Sequence, residues 1–309
     1  MIRHASRMTA LCALLLLLPA TVVAQPDWAS LSTEHFDIRY PPDETRGAQV
    51  FAAYAEKTQR HVAAEFGVPL TGKVIIFLAP DRETFTRLQP RNHVPEWAIG
   101  TALSSRNTIV MFSPRGANQE SVRADAAQVF AHELAHIELD RLADGRYLPR
   151  WFQEGVAQLV AREWRTGDTF RLSMAVLIDR LIPLANLGAH WPKSTSRAKL
   201  AYVESLSVVI YLRTNLFLKP LLERIAAGES FHDALIEVTG RDLFALEADW
   251  HDFLHRRQTW MLLLDDGCIW FFAAAVLFVG YLLVRARKRR KYETLDDDLH
   301  PKPRKPLYH

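Results

Sequence analysis

HELAH at residues 132–136 and WFQEG at residues 151–155 form the stretch of sequence that decides the fold. On a helix, His132 and His136 leave the same face about 6 Å apart, because four residues advance the helix by roughly 400°. Two neutral imidazoles at this spacing reach one Zn²⁺ through bonds of about 2.0–2.1 Å. A catalytic zinc needs three protein ligands and one open position, and Glu154 is the best candidate for the third ligand. Glu133 is placed to activate water rather than to hold the metal.

The flanking residues predict a helix–loop–helix that carries all three ligands. Ser121 is a suitable N-cap, and apolar residues then recur at helical spacing as far as residue 137. Gly145 fits the end of this helix, residues 144–148 form the connection, and Pro149 suits the first turn of the next helix. The second helix must pack against the first for Glu154 to reach the histidines.

The two motifs together resemble the gluzincin metallopeptidases, and most closely the bacterial peptidase MA-like domains, over residues 36–254. The resemblance implies that His132, His136 and Glu154 are zinc ligands and that Glu133 is the general base. An amphipathic helix with two surface histidines is the alternative. Tyr202 falls where related aminopeptidases carry a tyrosine that stabilises an oxyanion, a contact that strengthens as negative charge develops. The alternative role for Tyr202 is to anchor a core helix.

Two further residues stand where they can orient the ligands. Asp140 follows His136 by four residues and is close enough to accept a proton from a ligand imidazole. Gln158 follows Glu154 by one turn, where many gluzincins keep a carboxylate, and an amide orients a ligand less strongly.

Residues 99–103 are predicted to form an edge strand that pairs with an extended substrate. Related aminopeptidases carry a glutamate there that binds the free amine, whereas this chain has no acidic residue between Gly100 and Met111. The sequence therefore favours endopeptidase action. His251 and His255 repeat the metal spacing, but no Trp-x-x-Glu follows them, so we interpret them as surface histidines beside a core helix.

The two ends of the chain predict its topology. Residues 1–24 have the charges, apolar core and small-residue cleavage site of a secretory signal peptide. Residues 267–284 are predicted to form one transmembrane helix, since 268–284 contain no charge. The basic tail, 285–309, is predicted to be cytoplasmic by the positive-inside rule. We therefore expect a single-pass protein of the cytoplasmic (inner) membrane with its catalytic domain extracytoplasmic, in the periplasm.

The formal net charge of +3 conceals an uneven distribution. The tail carries a net +5, whereas residues 25–284 carry a net −4, so the basic residues indicate membrane topology rather than nucleic-acid binding. Cys12 lies in the signal segment and Cys268 begins the predicted span. The exported domain thus has no disulfide and depends on its hydrophobic core. Nothing in the sequence fixes the oligomeric state.

The predicted fold is α+β and gluzincin-like, with a small β-containing N-terminal lobe at 25–118 and a helical zinc lobe at 119–265. Strands are expected at 33–40, 73–78, 97–104 and 108–112, with a long helix at 44–66 and a short one from Asp81. Helices are expected after Glu154 at 199–214, 219–227, 230–238 and 243–257.

These features predict a membrane-anchored, zinc-dependent metallopeptidase that cuts peptide or protein substrates near the membrane. The alternative is a non-catalytic, membrane-tethered binding module that retains the fold.

Overall fold

The computed structural model describes residues 27–69, 72–90, 98–113, 126–264 and 273–288. The predicted signal peptide, the Ser121 N-cap, residues 267–272 of the predicted span and residues 289–309 of the tail lie outside the described residues. Residues 273–288 are helical. Within the described part of the chain, no helix combines the length and the hydropathy that a membrane crossing requires.

The N-terminal half contains a five-stranded mixed sheet. Its strands are β1 (Ala29–Ser32), β2 (Phe36–Tyr40), β3 (Val74–Ala79), β4 (Gly100–Leu103) and β5 (Thr108–Phe112). They lie in the order β1-β2-β3-β5-β4. The three central strands are parallel to one another, and each outer strand is antiparallel to its neighbour. The predicted strands at 97–104 and 108–112 are present as β4 and β5, which form a hairpin, and β4 is the predicted edge strand.

Two helices connect these strands. Helix α1 (Thr45–Phe66) links β2 to β3 and ends at Gly67, whose φ of 74° favours glycine. Helix α2 (Arg82–Arg87) begins where the Asp81 side chain accepts a 2.7 Å hydrogen bond from the Thr84 N–H. Both helices were predicted from the sequence. Strand β1 was not, because its four residues alternate in burial without a long apolar pattern.

The remainder of the described chain is helical. The helices are α3 (Ala126–Ala143), α4 (Arg150–Ala161), α5 (Thr166–Leu177), α6 (Leu184–Ala189), α7 (Thr195–Thr214), α8 (Leu218–Ala226), α9 (Phe231–Thr239) and α10 (Leu243–Leu264). The helices predicted from 199 to 257 are confirmed as α7 to α10, with α7 and α10 longer than expected. Helices α5 and α6 were missed. The mixed α+β fold, with a small sheet and a mostly helical remainder, agrees with the predicted class.

One large hydrophobic core joins the sheet to the helices. Buried side chains from β2 and β3 lie in the same cluster as Phe130 of α3, Trp151 of α4 and Trp250 of α10. The rings of Phe36 and Phe130 meet edge to face at 5.8 Å, so α3 packs directly on the sheet. A smaller cluster around Phe85 and Val110 covers the opposite face of the sheet. The sheet and the helices therefore hold α3 between them.

Candidate metal centre

The three predicted ligands come together on two packed helices. His132 and His136 lie on α3, and Glu154 lies on α4. The Nε2 atoms of His132 and His136 are 3.1 Å apart, and Glu154 Oε2 lies 3.6 Å from the first and 3.7 Å from the second. All three side chains are largely buried, with Glu154 only 10% exposed. The structure therefore groups one carboxylate oxygen with two imidazole nitrogens.

The spacing of these three atoms fits a tetrahedral metal ion. Bonds of about 2.0–2.1 Å that meet at tetrahedral angles place ligand atoms roughly 3.3–3.4 Å apart. The observed separations of 3.1, 3.6 and 3.7 Å lie around that value. Two histidines with one carboxylate are also a ligand set that zinc uses in catalytic sites. The donor set and its geometry thus both fit Zn²⁺.

The charges around the site favour a cation. Burial raises the pKa of Glu154, but its hydrogen bonds with His132 and His136 and their charges outweigh this, so the pKa lies well below its ordinary value. Burial alone lowers the pKa of His132, whereas hydrogen bonds with Glu154 and Glu163 raise it well above its ordinary value. The carboxylates therefore stabilise positive charge at the point where the two imidazoles meet.

A tight connection and a tight helix crossing place Glu154. Asp144 and Gly145, with φ of 48° and 74°, turn the chain after α3, as Gly145 was expected to do. Pro149 is the N-cap of α4, one residue before the first-turn position predicted for it.

Helix α4 packs on α7 at Gly155, where an added Cβ would stand 2.3 Å from the Ser205 carbonyl oxygen. The glycine after Glu154 is thus required by the approach of α7.

Glu163 contacts the imidazole of the candidate ligand His132, and no sequence pattern pointed to it. Its Oε1 lies 3.0 Å from His132 Nδ1. Arg162 caps the C-terminus of α4 with a φ of 57° that turns the chain, and Gln128 of α3 donates a 3.0 Å hydrogen bond to the Arg162 carbonyl. This turn brings Glu163 back over α3. A carboxylate beyond the end of a helix has no fixed offset from the ligands, so helical spacing did not point to it.

Asp140 and Gln158, the two residues predicted to orient the candidate ligands, have different surroundings from Glu163. Asp140 is exposed. Gln158 is buried, and its Nε2 donates hydrogen bonds to the carbonyls of Glu154 and Tyr202, at 3.1 and 2.9 Å. Gln158 therefore ties α4 to α7 instead of contacting an imidazole, and Glu163 is the carboxylate that contacts one.

Glu133 lies between the ligands and the edge of the sheet. Its Oε2 accepts a 2.6 Å hydrogen bond from the Ala102 N–H of β4. Strand β4 comes close to α3 at Gly100, where an added Cβ would stand 2.5 Å from Val129 Cγ1. This contact holds one carboxylate oxygen of Glu133 in place beside the candidate metal ligands.

Tyr202 lies on α7 beside the same site. Burial and the charge of Glu154 raise the pKa of Tyr202 to about 12, while the charge and hydrogen bond of Arg150 oppose the rise. The phenol is thus neutral near neutral pH and able to donate a hydrogen bond. Its ring packs edge to face against Trp191, with the centroids 4.9 Å apart. The location fits the predicted role, which stays a prediction.

A second group of potential ligands lies at the start of β2, on Glu34, His35 and Glu56. Glu56 accepts a 3.0 Å hydrogen bond from the His35 N–H and contacts His35 Nδ1 at 2.7 Å. Glu34 is 83% exposed. These contacts join β2 to α1, and we interpret the group as structural.

The predicted pair near the end of the domain lies on α10. His251 is half-buried with its Nε2 atom 4.0 Å from Glu247 Oε1, whereas His255 is exposed. The two histidines are not among the groups of potential metal ligands found in the described residues.

The fold and this site define a metallopeptidase-like domain. Residues 55–256 match the model of the Peptidase MA superfamily. Since this match covers well over half of the chain, the chain belongs to the Peptidase MA superfamily. The resemblance inferred from HELAH and WFQEG is confirmed at this level.

A comparison with solved structures found matches that are distant in sequence. Native yeast LTA4 hydrolase is 15% identical, with a TM-score of 0.45 over 72% of this chain and 38% of that chain. Native leukotriene A4 hydrolase from Saccharomyces cerevisiae is 14% identical, with a TM-score of 0.41 over 72% of this chain and 38% of that chain. Legionella pneumophila aminopeptidase A in complex with aspartic acid is 12% identical, with a TM-score of 0.42 over 74% of this chain and 28% of that chain. The chain thus corresponds to well under half of these proteins. A comparison with curated proteins found no match.

Proposed function

We propose that this chain is a zinc-dependent peptide hydrolase. The observation that carries the proposal is the triangle of ligand atoms from His132, His136 and Glu154, with Glu133 beside it. Zn²⁺ in such a site supplies Lewis-acid chemistry, which polarises a carbonyl oxygen and lowers the pKa of water. His132, His136 and Glu154 would hold it.

Glu133 is the general base of this proposal. One of its oxygens is held by the Ala102 N–H at 2.6 Å, so the carboxylate keeps a fixed direction. The carboxylate would accept a proton from water and return it to the leaving amine. Tyr202 would donate a hydrogen bond from its neutral phenol to the oxygen that gains negative charge.

Strand β4 is proposed to bind an extended substrate. The Ala102 N–H points away from β5, since Glu133 accepts it, and by alternation the backbone groups of Gly100 point the same way. A peptide added at this edge would lie next to Glu133. We propose endopeptidase action, because β4 and the following residues up to Met111 contain no carboxylate to bind a free amine.

The test compares two variants of the full chain. Glu133→Gln should retain about one zinc per chain and lose turnover of peptides by at least about a hundredfold, as expected for loss of a general base. Glu154→Ala should lose most of the zinc and the turnover together. Metal content and peptide cleavage are measured side by side. If Glu133→Gln leaves every activity of the chain unchanged, the domain is a binding module and the proposal is wrong.

We further propose that the domain is anchored in the inner membrane, with the site on the periplasmic side and the tail in the cytoplasm. The support is the uncharged segment 268–284 followed by a basic tail. A reporter fused after His309 should behave as cytoplasmic and one fused at Asp265 as exported. The reverse pattern would overturn this topology.

A further inference from the structure

Arg150, the first residue of α4, lies at the rim of the candidate metal centre. Its Nε donates a 3.3 Å hydrogen bond to Glu154 Oε1, the carboxylate oxygen that faces away from the two histidines. Its guanidinium carbon lies 4.5 Å from the centroid of the Trp191 ring. Its charge and hydrogen bond also act on the Tyr202 hydroxyl. Every one of these contacts is with a residue that surrounds the site.

These contacts fix the direction of the guanidinium without covering it. Stacking on Trp191 and the hydrogen bond to Glu154 hold the plane of the guanidinium group, yet the Arg150 side chain remains 49% exposed. A guanidinium carries five N–H donors in a rigid fork, and the hydrogen bonds to Glu154 and to the Tyr202 hydroxyl use only part of this set. Donors therefore remain available on a side chain whose conformation is already set, which lowers the entropy cost of binding an anion.

The proposed substrate-binding edge carries no charge that would bind a substrate amine. Strand β4, the proposed binding edge, has the sequence GTAL and carries neither acidic nor basic side chains. Glu133 and Glu163 are engaged by Ala102 and His132, at 2.6 and 3.0 Å. A substrate amine would thus find no unengaged carboxylate on β4, whereas a substrate carboxylate would find a preorganised arginine.

We propose that Arg150 is a specificity-determining residue that binds a substrate carboxylate next to the scissile bond. This inference rests on the proposed peptide hydrolysis and adds a substrate class to it. The preferred substrates carry Asp or Glu beside the scissile bond, which agrees with endopeptidase action, or a free C-terminal carboxylate there, which would make the action that of a carboxypeptidase. Arginine pairs with a carboxylate through two parallel hydrogen bonds, a geometry that lysine does not reproduce.

The experiment measures binding, so that it does not depend on catalysis. Full-length chain carrying Glu133→Gln, purified in detergent and loaded with zinc, is titrated against fluorescently labelled peptides of one sequence. The peptides carry Glu or Gln at the position next to the intended scissile bond, each with an amidated C-terminus, and a third peptide ends at Gln with a free carboxylate. Fluorescence anisotropy gives the three affinities, and the third peptide distinguishes a side-chain from a C-terminal source of the carboxylate.

We expect at least one carboxylate peptide to bind about tenfold more tightly than the amidated Gln peptide, as a charge-assisted hydrogen bond at a half-exposed site would give. Adding Arg150→Gln should make the affinities for the carboxylate peptides equal to that for the amidated Gln peptide. Arg150→Lys should instead retain part of the preference for the carboxylate peptides. Arg213→Gln is the matched control, because Arg213 is a similarly exposed arginine whose carboxylate partner, Glu65, lies 3.9 Å away.

Three results would overturn the inference. They are equal affinity for all three peptides, a carboxylate preference that survives Arg150→Gln, and an equal weakening of all three peptides. Equal weakening of all three peptides would mean that Arg150 only holds Glu154 in position. A reduced zinc content of the Arg150→Gln variant would show this. If the carboxylate preference depends on Arg150 but the unmutated chain cleaves none of the peptides, the specificity stands and the proposed hydrolysis fails.

Discussion

Gly155 and Ser205 bring α4 and α7 so close that a Cβ at position 155 would stand 2.3 Å from the Ser205 carbonyl oxygen. The same Cβ would lie 2.6 Å from Val209 Cγ2. Helix α4 carries Glu154 and helix α7 carries Tyr202, so this crossing sets the distance between a candidate ligand and the candidate oxyanion donor. The glycine next to Glu154 is therefore a packing residue of the site.

Gly155→Ala should force α4 and α7 apart. A backbone carbonyl cannot rotate away as a side chain can, so we expect a loss of at least about 2 kcal/mol in stability, within the range for overpacked cores. Zinc affinity should fall as well, because Glu154 moves with α4. Thermal unfolding and zinc titration measure both effects.

Gly167→Ala is the control for that variant. Gly167 lies in α5, where an added Cβ meets no atom within 4 Å. Alanine favours a helix by up to about 1 kcal/mol over glycine, so this variant should be unchanged or slightly more stable. Equal melting temperatures for the two variants would contradict the close crossing of α4 and α7.

Glu163→Gln tests the carboxylate that contacts His132. Removing its charge weakens the hold on the imidazole, and we expect zinc affinity to fall by about 10- to 100-fold. Asp140→Asn is the matched control, since Asp140 is exposed on the ligand helix and should leave affinity unchanged. Competition with a chromogenic chelator measures both affinities. A larger loss for Asp140→Asn than for Glu163→Gln would restore the role first predicted for Asp140.

The contrast between these carboxylates shows how far the sequence predicts the site. Helical geometry places His132 and His136 on one face, whereas the roles of Glu133 and Glu154 rest on the resemblance of HELAH and WFQEG to the gluzincin motifs. Neither points to Glu163 or Arg150, because their positions depend on the turn at Arg162 and on the packing of Trp191. Local periodicity specifies what one helix presents, whereas contacts between elements depend on the assembled core.

The same distinction applies to the fold. Strands β2 to β5 and helices α1, α2 and α7 to α10 follow from apolar periodicity and from caps such as Asp81 and Gly67. Strand β1 and helices α5 and α6 were missed because four to twelve residues give a weak pattern, and because α5 and α6 are buried by contacts with α4, α7 and α10 that the local sequence does not show.

Glu204 should make stability depend on pH. It is fully buried in α7, and its two oxygens accept the Ile182 N–H at 3.1 and 3.2 Å. Burial, helped by the charge of Glu247, raises the pKa of Glu204 to about 8 from an ordinary value of 4.5. Between these values the folded chain keeps a proton that the unfolded chain has lost, so stability falls as pH rises from about 4.5 to about 8 and then levels off.

Glu204→Gln should remove this dependence, because an amide stays neutral and its oxygen still accepts the Ile182 N–H. Between pH 4.5 and pH 8, the free energy of unfolding of the unmutated chain falls by at most about 1.4 kcal/mol per pH unit because of Glu204, and the variant loses this slope. Melting temperatures of the two chains should therefore diverge from pH 5 to pH 8, with the variant more stable at pH 8. Glu223→Gln, at an exposed position of α8, should follow the unmutated chain. Parallel curves for Glu204→Gln and the unmutated chain would show that Glu204 is already ionised at pH 5.

The last prediction concerns the distance between the site and the proposed membrane anchor. Helix α10 is fixed in the core by Leu246, Trp250 and Leu254, and it continues to Leu264. The ten residues after Leu254 extend about 15 Å as a helix, so the domain would stand at a set height with no flexible stalk up to that point. We therefore expect natural substrates to be membrane or envelope proteins cut in loops close to the bilayer.

A Gly/Ser insertion of twenty residues after Leu264 tests this expectation, because it leaves α10 intact and adds roughly 25 Å of flexible reach. Cleavage of sites close to the membrane should fall and more distant sites should become substrates, while a free peptide should be cut at an unchanged rate. The same insertion after Tyr292, in the basic tail, is the control, since it does not change the height of the domain. Proteomic comparison of the cleaved peptides measures the outcome. A substrate set that keeps its identity and rates after the insertion at Leu264 would mean that the anchor retains the enzyme at the membrane without selecting what it cuts.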